Sequence, residues 1–363
     1  MEKDFSLRFF ITLLGAFFIQ TTAATETGRV PTKAPPAGMV QEMIRSNRAQ
    51  AKLELTTPLF RTTEERRPYA EYNEAGYLFM NSDFEFSSEA VKRGILKNLP
   101  ENVTAIVFIG SRSDSIKERI KNSFVNEISP DRLKVVYLPK APQGFWARDG
   151  IPVPTVSANG DGRLTLVDAK YYHGFEPDEE VAEIFQSQLI RHDYYFEGGN
   201  FMANGKGDCL IVNNSDAAEV PDRIFEVNYG CINLIRLPHV KGIGHADESV
   251  KFVSDDTVLT DTDSYIPVLK RAGFNVVTLP RPNKKYETYV NSLIVEDIVY
   301  LPIFGQNKDQ LAQKVYEDLG FKVIPMNTSR LSNSGLGSIH CITMTYPPSP
   351  LTELLKSLGG ELL

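Results

Sequence analysis

Short apolar runs alternate along the chain with amphipathic helical patterns, and the alternation recurs five times. The first strands of the five predicted units begin with the runs IVFIG at Ile106, LTLVDAKYY at Leu164, CLIVNNS at Cys209, TVLTDTDS at Thr257 and IVYLPIFG at Ile298. The clearest unit continues through a helical pattern at Lys308–Gly320 into a second strand. One supersecondary unit repeated at a period of roughly 40 to 60 residues is typical of a propeller or an array.

A polar cluster follows the second strand of every unit. These second strands are predicted at Lys134–Pro139, His192–Phe196, Asn233–Pro238, Asn275–Pro280 and Lys322–Met326, and the clusters behind them read WARD, FEGGN, GHADE, YVNSL and GSIHC. A doubly wound sheet would also alternate strands and helices. Clusters at equivalent positions favour a closed ring, because equivalent loops of a ring meet at one end of its axis. We therefore predict an α/β fold, a five-unit pseudo-symmetric α/β propeller with one central active site.

The N-terminus carries a pattern typical of a secretory leader. The apolar run Phe9–Ile19 follows Lys3 and Arg8 and precedes the small residues Thr21–Ala24. The run has the proportions of a signal peptide core and is short for a transmembrane helix. We predict a signal peptide over residues 1–24 and a secreted or periplasmic protein; an uncleaved anchor is the alternative.

The rest of the chain divides into two predicted parts. Residues 25–67 form a polar lead-in that contains proline and one helical pattern, Met39–Leu55. Residues 68–363 form the catalytic domain, whose first core strand is predicted at Gly76–Phe84.

Composition narrows the class of protein. The chain has 363 residues, 42% of them hydrophobic and 23% charged, which suits one globular enzyme with a large core. The formal net charge of −7 argues against an electrostatic nucleic-acid binder. We expect no nucleic-acid partner and no stable membrane association once the leader is removed.

The three cysteines fall into two kinds. Cys209 and Cys231 lie in apolar strand patterns, and we expect both to be buried as small hydrophobic residues. Cys341 follows the Gly- and Ser-rich stretch that ends in GSIHC, where tight turns can present a thiol to a pocket.

The polar clusters together contain residues suited to attack on a guanidinium. Carboxylates bind its planar array of N–H donors, and Asp149 and Asp247 are the candidates. Cys341 would attack the central carbon as a thiolate. His245 would protonate the departing nitrogen as ammonia and then activate water, with Glu197 as its carboxylate partner.

The chain resembles the guanidine-modifying superfamily of arginine deiminases, agmatine deiminases and amidinotransferases, and above all the peptidylarginine deiminases, including the Porphyromonas type. The resemblance extends from about residue 68 to the end, and it rests on FWARD, EGGN, GHADE, YVNSLIVEDIVYLP and GSIHC in that order. It implies the five-unit propeller, or pentein, fold. It also implies guanidinium-binding roles for Asp149 and Asp247, acid–base catalysis by His245 and a Cys341 nucleophile.

The resemblance further implies supporting positions and a reaction. Asn291 matches an asparagine near the family's active site, and we place Glu197, Trp146, Arg148 and Asn200 with it as substrate-binding or supporting residues. The implied reaction uses no cofactor and no metal ion. It converts the guanidinium of arginine residues in peptides or proteins to citrulline and ammonia through a thiouronium intermediate on Cys341.

Two departures from the family bear on the substrate. Porphyromonas-type enzymes hold the carboxylate of a C-terminal arginine with two arginines, and the corresponding stretch Val167–Glu180 contains none. Lys170 or His173 could substitute, although we expect His173 to be an exposed loop residue. Agmatine deiminases continue WxRD with Thr-Gly-Pro, whereas this chain reads RDGIP.

Several alternatives stay open at this point. Agmatine or free arginine would suit the same residues, and an amidinotransferase would differ only in using an amine instead of water. A protein that merely binds guanidinium or arginine peptides would not need the thiol. A cysteine protease is disfavoured, because carboxylates beside the thiol would oppose an oxyanion. The acidic stretches DDTVLTDTD and EPDEE are expected to be solvated loops and not calcium sites.

Overall fold

The computed structural model describes residues 30–54, 65–111 and 113–352. The predicted signal peptide, residues 1–24, lies outside these ranges. Among the helices within them, none combines the length and the apolarity that a bilayer crossing requires.

The described residues form five separate sheets, here called sheets I to V. The strands in chain order are β1 (Arg66–Pro68), β2 (Tyr77–Asn81), β3 (Thr104–Ile109), β4 (Leu133–Tyr137), β5 (Val153–Ser157), β6 (Leu164–Lys170), β7 (Gln188–Tyr195), β8 (Met202–Ala203), β9 (Asp208–Asn213), β10 (Asn233–Pro238), β11 (Val250–Phe252), β12 (Thr257–Thr260), β13 (Asn275–Thr278), β14 (Leu293–Val295), β15 (Ile298–Ile303), β16 (Lys322–Asn327) and β17 (Thr343–Tyr346). Sheet I has the order β17-β2-β3-β4, sheet II β1-β5-β6-β7, sheet III β10-β9-β8, sheet IV β11-β12-β13 and sheet V β14-β15-β16.

The α-helices lie between and around these strands. They are α1 (Ala37–Glu54), α2 (Glu89–Lys97), α3 (Asp114–Phe124), α4 (Ala147–Gly150), α5 (Asp178–Phe185), α6 (Asp222–Ile224), α7 (Ile266–Arg271) and α8 (Lys308–Asp318). The lead-in helix was predicted at Met39–Leu55 and is α1.

Each sheet contains one parallel pair that is a predicted unit, and sheet I has a second parallel pair, β2 with β3. The pairs that form the units are β3 with β4, β6 with β7, β9 with β10, β12 with β13 and β15 with β16. Parallel strands require a crossover connection, and a helical segment supplies it in every unit. All five predicted first strands and all five predicted second strands are therefore confirmed as strands.

The polar clusters are the connections from one sheet to the next. WARD lies between β4 of sheet I and β5 of sheet II, and the next three clusters lead to sheets III, IV and V in turn. GSIHC lies between β16 of sheet V and β17, which pairs antiparallel with β2 in sheet I. The chain thus visits five sheets and returns to the first one.

The apolar side chains pack in four clusters that join neighbouring sheets. One cluster contains residues of sheets I, II and III, and a second joins sheets I and V. The other two join sheet III to sheet IV and sheet IV to sheet V. The core consequently holds consecutive sheets together at the edges where the polar clusters lie. The predicted α/β architecture is confirmed, with parallel and antiparallel strand pairs in the sheets. The closure of the five sheets into a propeller stays a prediction.

Helix α1 packs against strand β7 through a buried asparagine. Asn47 donates from Nδ2 to the carbonyls of Tyr195 at 3.0 Å and Asp216 at 3.1 Å, and its Oδ1 accepts from the Tyr195 N–H at 2.8 Å. This contact fixes the lead-in helix on sheet II, because a buried amide is costly to leave without partners.

Cys209 and Cys231 form a disulfide, so the prediction that they are two separate buried thiols was wrong. Both residues are buried, as expected. Their pairing follows from the backbone: the N–H of Ile232 donates to the carbonyl of Gly207 at 2.7 Å just before β9 and β10 pair. With the two segments aligned in this way, the Cα atoms of Cys209 and Cys231 are 5.8 Å apart, a distance suited to a disulfide. Cys341 is a free, buried thiol.

Candidate active site

The predicted catalytic residues lie on or beside single helical turns at the sheet-to-sheet connections. Asp149 lies on α4, while Asp247 and Cys341 lie on 3₁₀ turns of three residues each. His245 directly precedes the turn of Asp247 and has extended backbone. Because each turn follows the carboxyl end of a parallel pair, these residues from three different connections can meet.

His245 lies between two carboxylates. Its Nε2 is 2.9 Å from Oε2 of Glu197, and its Nδ1 is 3.6 Å from Oδ1 of Asp149. The first distance is a hydrogen bond, and the second is too long for one. The expected partnership of His245 with Glu197 is therefore present, and all three side chains are buried.

Cys341 lies beside Asp247 and Asn291. Its thiol is placed to donate to Oδ1 of Asn291 at 3.3 Å and to Oδ2 of Asp247 at 3.5 Å. Asn291 in turn donates from Nδ2 to the carbonyl of Asp247 at 3.1 Å. These contacts join residues from three sheet connections at the sulfur atom.

Lys33, from the lead-in, enters the same site. Its Nζ lies 3.0 and 3.2 Å from the two carboxylate oxygens of Asp149, and its side chain is fully buried. Burial disfavours the ammonium, but the charges of Asp149 and Asp247 outweigh burial and hold the pKa of Lys33 well above its usual value. A positive group thus contacts one of the two predicted guanidinium-binding aspartates and is favoured by the charge of the other.

Burial controls the protonation of the surrounding acids. It raises the pKa of Glu197 to about 8 and that of Asp149 to about 6, although Lys33 opposes both shifts. For Asp247, burial is outweighed by Lys33 and His340, which hold its pKa well below the ordinary value. Burial and the neighbouring charge of Asp247 raise the pKa of the Cys341 thiol, so the sulfur is protonated at rest.

His340 orients Asp247 from beneath the site. Its Nδ1 lies 2.8 Å from Oδ2 of Asp247, and its Nε2 lies 2.6 Å from Oε2 of Glu71. Burial lowers the pKa of His340, whereas the two carboxylates favour the imidazolium. A neutral imidazole has a single N–H, so we assign the doubly protonated ring, which alone donates to both carboxylates.

Glu71 is the centre of a buried ionic network below His340. Its carboxylate accepts from Arg148 Nη2 at 2.9 Å, from Lys251 Nζ at 3.0 Å and from the N–H of Ile294 at 2.9 Å. Buried charges persist only when they are paired and hydrogen-bonded. The network ties α4, sheet IV and sheet V to the residue before the candidate nucleophile.

Three of the predicted supporting residues are not at the reacting centre. Arg148 donates to Glu71 and, from Nε, to the carbonyl of Thr343 at 3.0 Å. Asn200 exchanges hydrogen bonds with the backbone of Val212 at 2.8 and 2.9 Å. Trp146 donates from Nε1 to the carbonyl of Pro31 at 3.0 Å. Arg148 and Asn200 therefore stabilise the connections between sheets, and Trp146 contacts the lead-in.

The stretch Val167–Glu180 contributes a contact to the lead-in as well. His173 was expected to be an exposed loop residue, and that expectation was wrong: it is half-buried beside Tyr172, with ring centroids 3.9 Å apart. Burial lowers the pKa of His173 to about 4, while a hydrogen bond with the backbone of Thr32 opposes this shift. The aromatic neighbours of the loop account for its burial. Lys170 is partly exposed and pairs with Asp193 at 3.1 Å.

Asp149, Glu197 and His245 also have a spacing compatible with a metal ion. One ligand atom from each lies within 4.8 Å of the others. Of these three residues, Asp149 is paired with the ammonium of Lys33.

Sequence reasoning missed Lys33, Glu71 and His340. His340 carried a signal, because it stands next to Cys341 within GSIHC. Glu71 and Lys33 carried none: both lie in polar stretches ahead of the first core strand, and Lys33 is 116 positions from Asp149.

The C-terminal part of the chain matches a known family. The family is described as Porphyromonas-type peptidyl-arginine deiminase, and the match covers residues 239–347. This stretch contains His245, Asp247, Asn291 and Cys341.

Similar sequences carry the name of agmatine deiminase. One assigned in Mycoplasma mycoides is 25% identical, with 56% of this chain and 74% of the relative covered. One assigned in Listeria monocytogenes is 24% identical, with coverage of 60% and 79%.

Solved structures share the fold. The agmatine deiminase of C. jejuni gives a TM-score of 0.64 at 19% identity, over 81% of this chain and 99% of that one. The arginine deiminase assigned in Porphyromonas gingivalis gives 0.65 at 19% identity, over 79% and 100%. These two structures establish the α/β pentein-type fold. Together with the family match and the sequence relatives, they lead to one conclusion: the chain resembles the guanidine-modifying enzymes of the Porphyromonas-type peptidyl-arginine deiminase and agmatine deiminase group.

Proposed function

We propose that this protein is a hydrolase that deiminates a guanidinium group through Cys341 and releases ammonia. The observation that carries the proposal is that Asp149, His245, Asp247 and Cys341 lie together in a buried site into which the ammonium of Lys33 is inserted against Asp149. A buried site whose carboxylates hold an inserted cation suits a guanidinium, which is always protonated.

Buried polar atoms without partners give further support. Oε1 of Glu197, Nδ1 of His245 and Oδ1 of Asp247 are buried, and each has no hydrogen-bond partner within the described ranges. Such atoms are rare in folded proteins and require an explanation. A guanidinium offers five N–H donors, which would satisfy the carboxylate oxygens among them.

The first half of the reaction forms a covalent intermediate. A bound guanidinium beside Sγ favours the thiolate, because a neighbouring cation lowers a thiol pKa, and the thiol proton leaves to solvent. Sγ bonds to the guanidinium carbon and gives a tetrahedral centre. His245 then donates a proton to one terminal nitrogen, the C–N bond breaks, and ammonia leaves a thiouronium on Cys341.

The second half releases the product. Water loses a proton to His245 and adds to the thiouronium carbon as hydroxide. The C–S bond then breaks and the added hydroxyl gives its proton to solvent, which returns the thiolate and leaves a neutral ureido group. Glu197 holds the imidazole through the 2.9 Å contact at Nε2. Asn291 and Asp247 hold the sulfur on the opposite side.

Two substrate classes have separate support. Agmatine is the first candidate, because the similar proteins described above carry that name. Arginine within a peptide is the second. It is supported by the name of the matching family and by the seating of Lys33, a basic residue inside a polypeptide, in the site. The RDGIP sequence after Trp146 also departs from the Thr-Gly-Pro of agmatine deiminases.

The proposal extends to architecture and location. We place the five sheets in a closed propeller around the site, which is supported by the return of the chain to sheet I and by core clusters that join consecutive sheets. We also propose export, supported by the leader-like N-terminus and by the disulfide of Cys209 with Cys231, since disulfides persist in oxidising compartments.

A direct assay tests the reaction. Ammonia and ureido product are measured with agmatine, free arginine, an internal-arginine peptide and a C-terminal-arginine peptide. The intact chain and a Lys33→Ala variant are assayed side by side, and Cys341→Ala provides the inactive control. Ureido product from agmatine alone would establish the small-molecule branch, and product from a peptide would establish the peptidyl branch. The absence of ureido product from all four substrates, in both active forms, would overturn deimination.

A further inference from the structure

The lead-in passes the candidate active site as an irregular segment that bends at Lys33 and Ala34. Three hydrogen bonds hold it: Trp146 Nε1 donates to the carbonyl of Pro31 at 3.0 Å, the N–H of Lys33 donates to the carbonyl of Gly335 at 3.0 Å, and the hydroxyl of Tyr172 donates to the carbonyl of Lys33 at 2.6 Å. All three contacts involve the backbone of the lead-in. Hydrogen bonds to the main chain do not depend on the side chains of the bound peptide. This mode of binding would therefore suit any peptide that places a basic residue where Lys33 lies.

The segment buries Lys33 and leaves a residue on each side of it exposed. Thr32 and Pro36 are exposed, whereas Lys33 between them is fully buried. Proline at positions 31, 35 and 36 keeps this stretch out of a helix, because its ring fixes φ and disfavours helical backbone at the preceding residue. Helix α1 begins immediately afterwards, at Ala37.

Two glycines make room for the lysine. A Cβ at Gly337 would lie 3.0 Å from Cδ of Lys33, and a Cβ at Gly199 would lie 3.1 Å from its Nζ. Gly199 also donates its N–H to Oδ1 of Asp149 at 3.1 Å. The narrow channel from Gly337 to Gly199 therefore conducts one long side chain from the surface to the carboxylates.

The buried charge excludes a second cation. Asp149 and Asp247 are the principal compensating charges on the ammonium of Lys33. A substrate guanidinium requires the same carboxylates, and two cations in one buried site would repel each other strongly. Lys33 and the substrate are therefore mutually exclusive occupants.

We propose that Pro31–Pro36 is an internal pseudosubstrate: it occupies the site as a peptide substrate would, with Lys33 in place of arginine, and must leave before turnover. This inference rests on the proposed function. A lysine ammonium offers the sulfur no amidine carbon to attack, so the segment fills the site without reacting. The segment is joined directly to α1, and Asn47 fixes α1 on sheet II. Because of this covalent connection, the effective concentration of the segment at the active site is high.

The first test is kinetic. In Lys33→Ala, KM for the substrate should fall about tenfold or more with kcat little changed, because a binding-competent state that is only about 0.1–10% populated reduces apparent affinity by that fraction. Lys52→Ala, which alters an exposed lysine on α1, is the matched control and should behave as the unmodified chain. Equal KM values in all three forms, with turnover present, would overturn the pseudosubstrate and leave deimination standing.

The second test does not depend on turnover. Alkylation of Cys341 by 2-chloroacetamidine, a small cationic electrophile, should be faster in Lys33→Ala than in Lys52→Ala by a similar factor. Peptide mass spectrometry identifies the alkylated cysteine. Equal rates would overturn the inference even if no substrate were turned over. Thermal unfolding of both variants shows whether a rate change reflects lost folding.

The third test converts the segment into a substrate. Lys33→Arg keeps the positive charge and supplies a guanidinium at the end of the same channel. Mass spectrometry of the peptide that contains position 33 should reveal replacement of the imino nitrogen by oxygen, with ammonia released, in Lys33→Arg but not in Lys33→Arg/Cys341→Ala. An unmodified position 33, in a variant that turns over added substrate, would contradict the proposed pose.

Discussion

His340 donates from Nδ1 to Oδ2 of Asp247 at 2.8 Å, and that same oxygen lies 3.5 Å from Sγ of Cys341. The candidate nucleophile therefore shares a carboxylate oxygen with the residue that precedes it in the chain. Because the position of Asp247 depends on this donor, His340 is expected to act as a positioning residue for the reaction.

Replacing His340 should lower kcat through misplacement of Asp247. We expect His340→Ala to lose about a hundredfold in kcat, the size of effect that a displacement of about 1 Å can have. His340→Asn retains a donor near the position of Nδ1 and should recover part of the loss with KM less affected. Kinetics and thermal unfolding of both variants check this, and equal kcat in the two variants would indicate a purely structural role.

Replacing Asp149 should weaken substrate binding and chemistry together. Asp149→Asn leaves a buried cation with one fewer charged partner, which typically costs about 2–5 kcal/mol, or roughly thirtyfold and upward in kcat/KM. Asp222→Asn is the control, since Asp222 pairs with Arg236 on the surface and such pairs contribute about 1 kcal/mol or less. Unchanged kcat/KM in Asp149→Asn would remove Asp149 from the guanidinium site.

Glu197 should make the fold less stable as the pH rises. Burial raises its pKa from the ordinary value of 4.5 to about 8, so the folded chain retains a proton that the unfolded chain releases. The associated stability is fully present below pH 4.5 and is lost as the pH rises through about 8. Urea unfolding across this interval should show a fall of up to a few kcal/mol that is absent in Glu197→Gln.

The control for Glu197 is an acid at the surface. Glu42 is exposed on α1, and Glu42→Gln should keep the pH dependence of the unmodified chain. A Glu197→Gln curve parallel to that of the unmodified chain would place the titration elsewhere.

The disulfide should stabilise the fold to a measurable extent. Cys209 and Cys231 are 22 positions apart, and closing a loop of that length contributes about 3 kcal/mol in the chain-entropy description. We expect Cys209→Ala/Cys231→Ala to lose stability by this order in urea unfolding, and a reducing agent to have the same effect on the unmodified chain alone. Peptide mapping without reduction should recover the linked pair; two free thiols there would contradict the structure.

Much of the site could be predicted from the sequence because of where it lies along the strands. Asp149, His245 and Cys341 lie in the connections that follow strands repeated in a regular order, and the carboxyl ends of parallel pairs supply a common location. Helical crossovers and apolar runs are local signals, and they gave all five strand–helix–strand units.

The remainder depends on contacts between distant segments with no local pattern. Lys33 lies in a proline-containing stretch that no periodicity marks, and only the folded chain places it on Asp149. The pairing of Cys209 with Cys231 depends on the register of β9 against β10, which composition does not reveal. Glu71 enters its network through a turn ahead of β2 that the sequence marks only as polar.

The antiparallel pairing of β17 with β2 has a consequence for synthesis of the protein. Tyr346 lies opposite Tyr77, so the strand that follows Cys341 closes onto one of the first core strands to leave the ribosome. During elongation, β2 waits beside β3 with one edge uncovered while four further units emerge. The connection that carries Cys341 is consequently fixed at both ends only when β17 pairs with β2, after the other units have been made.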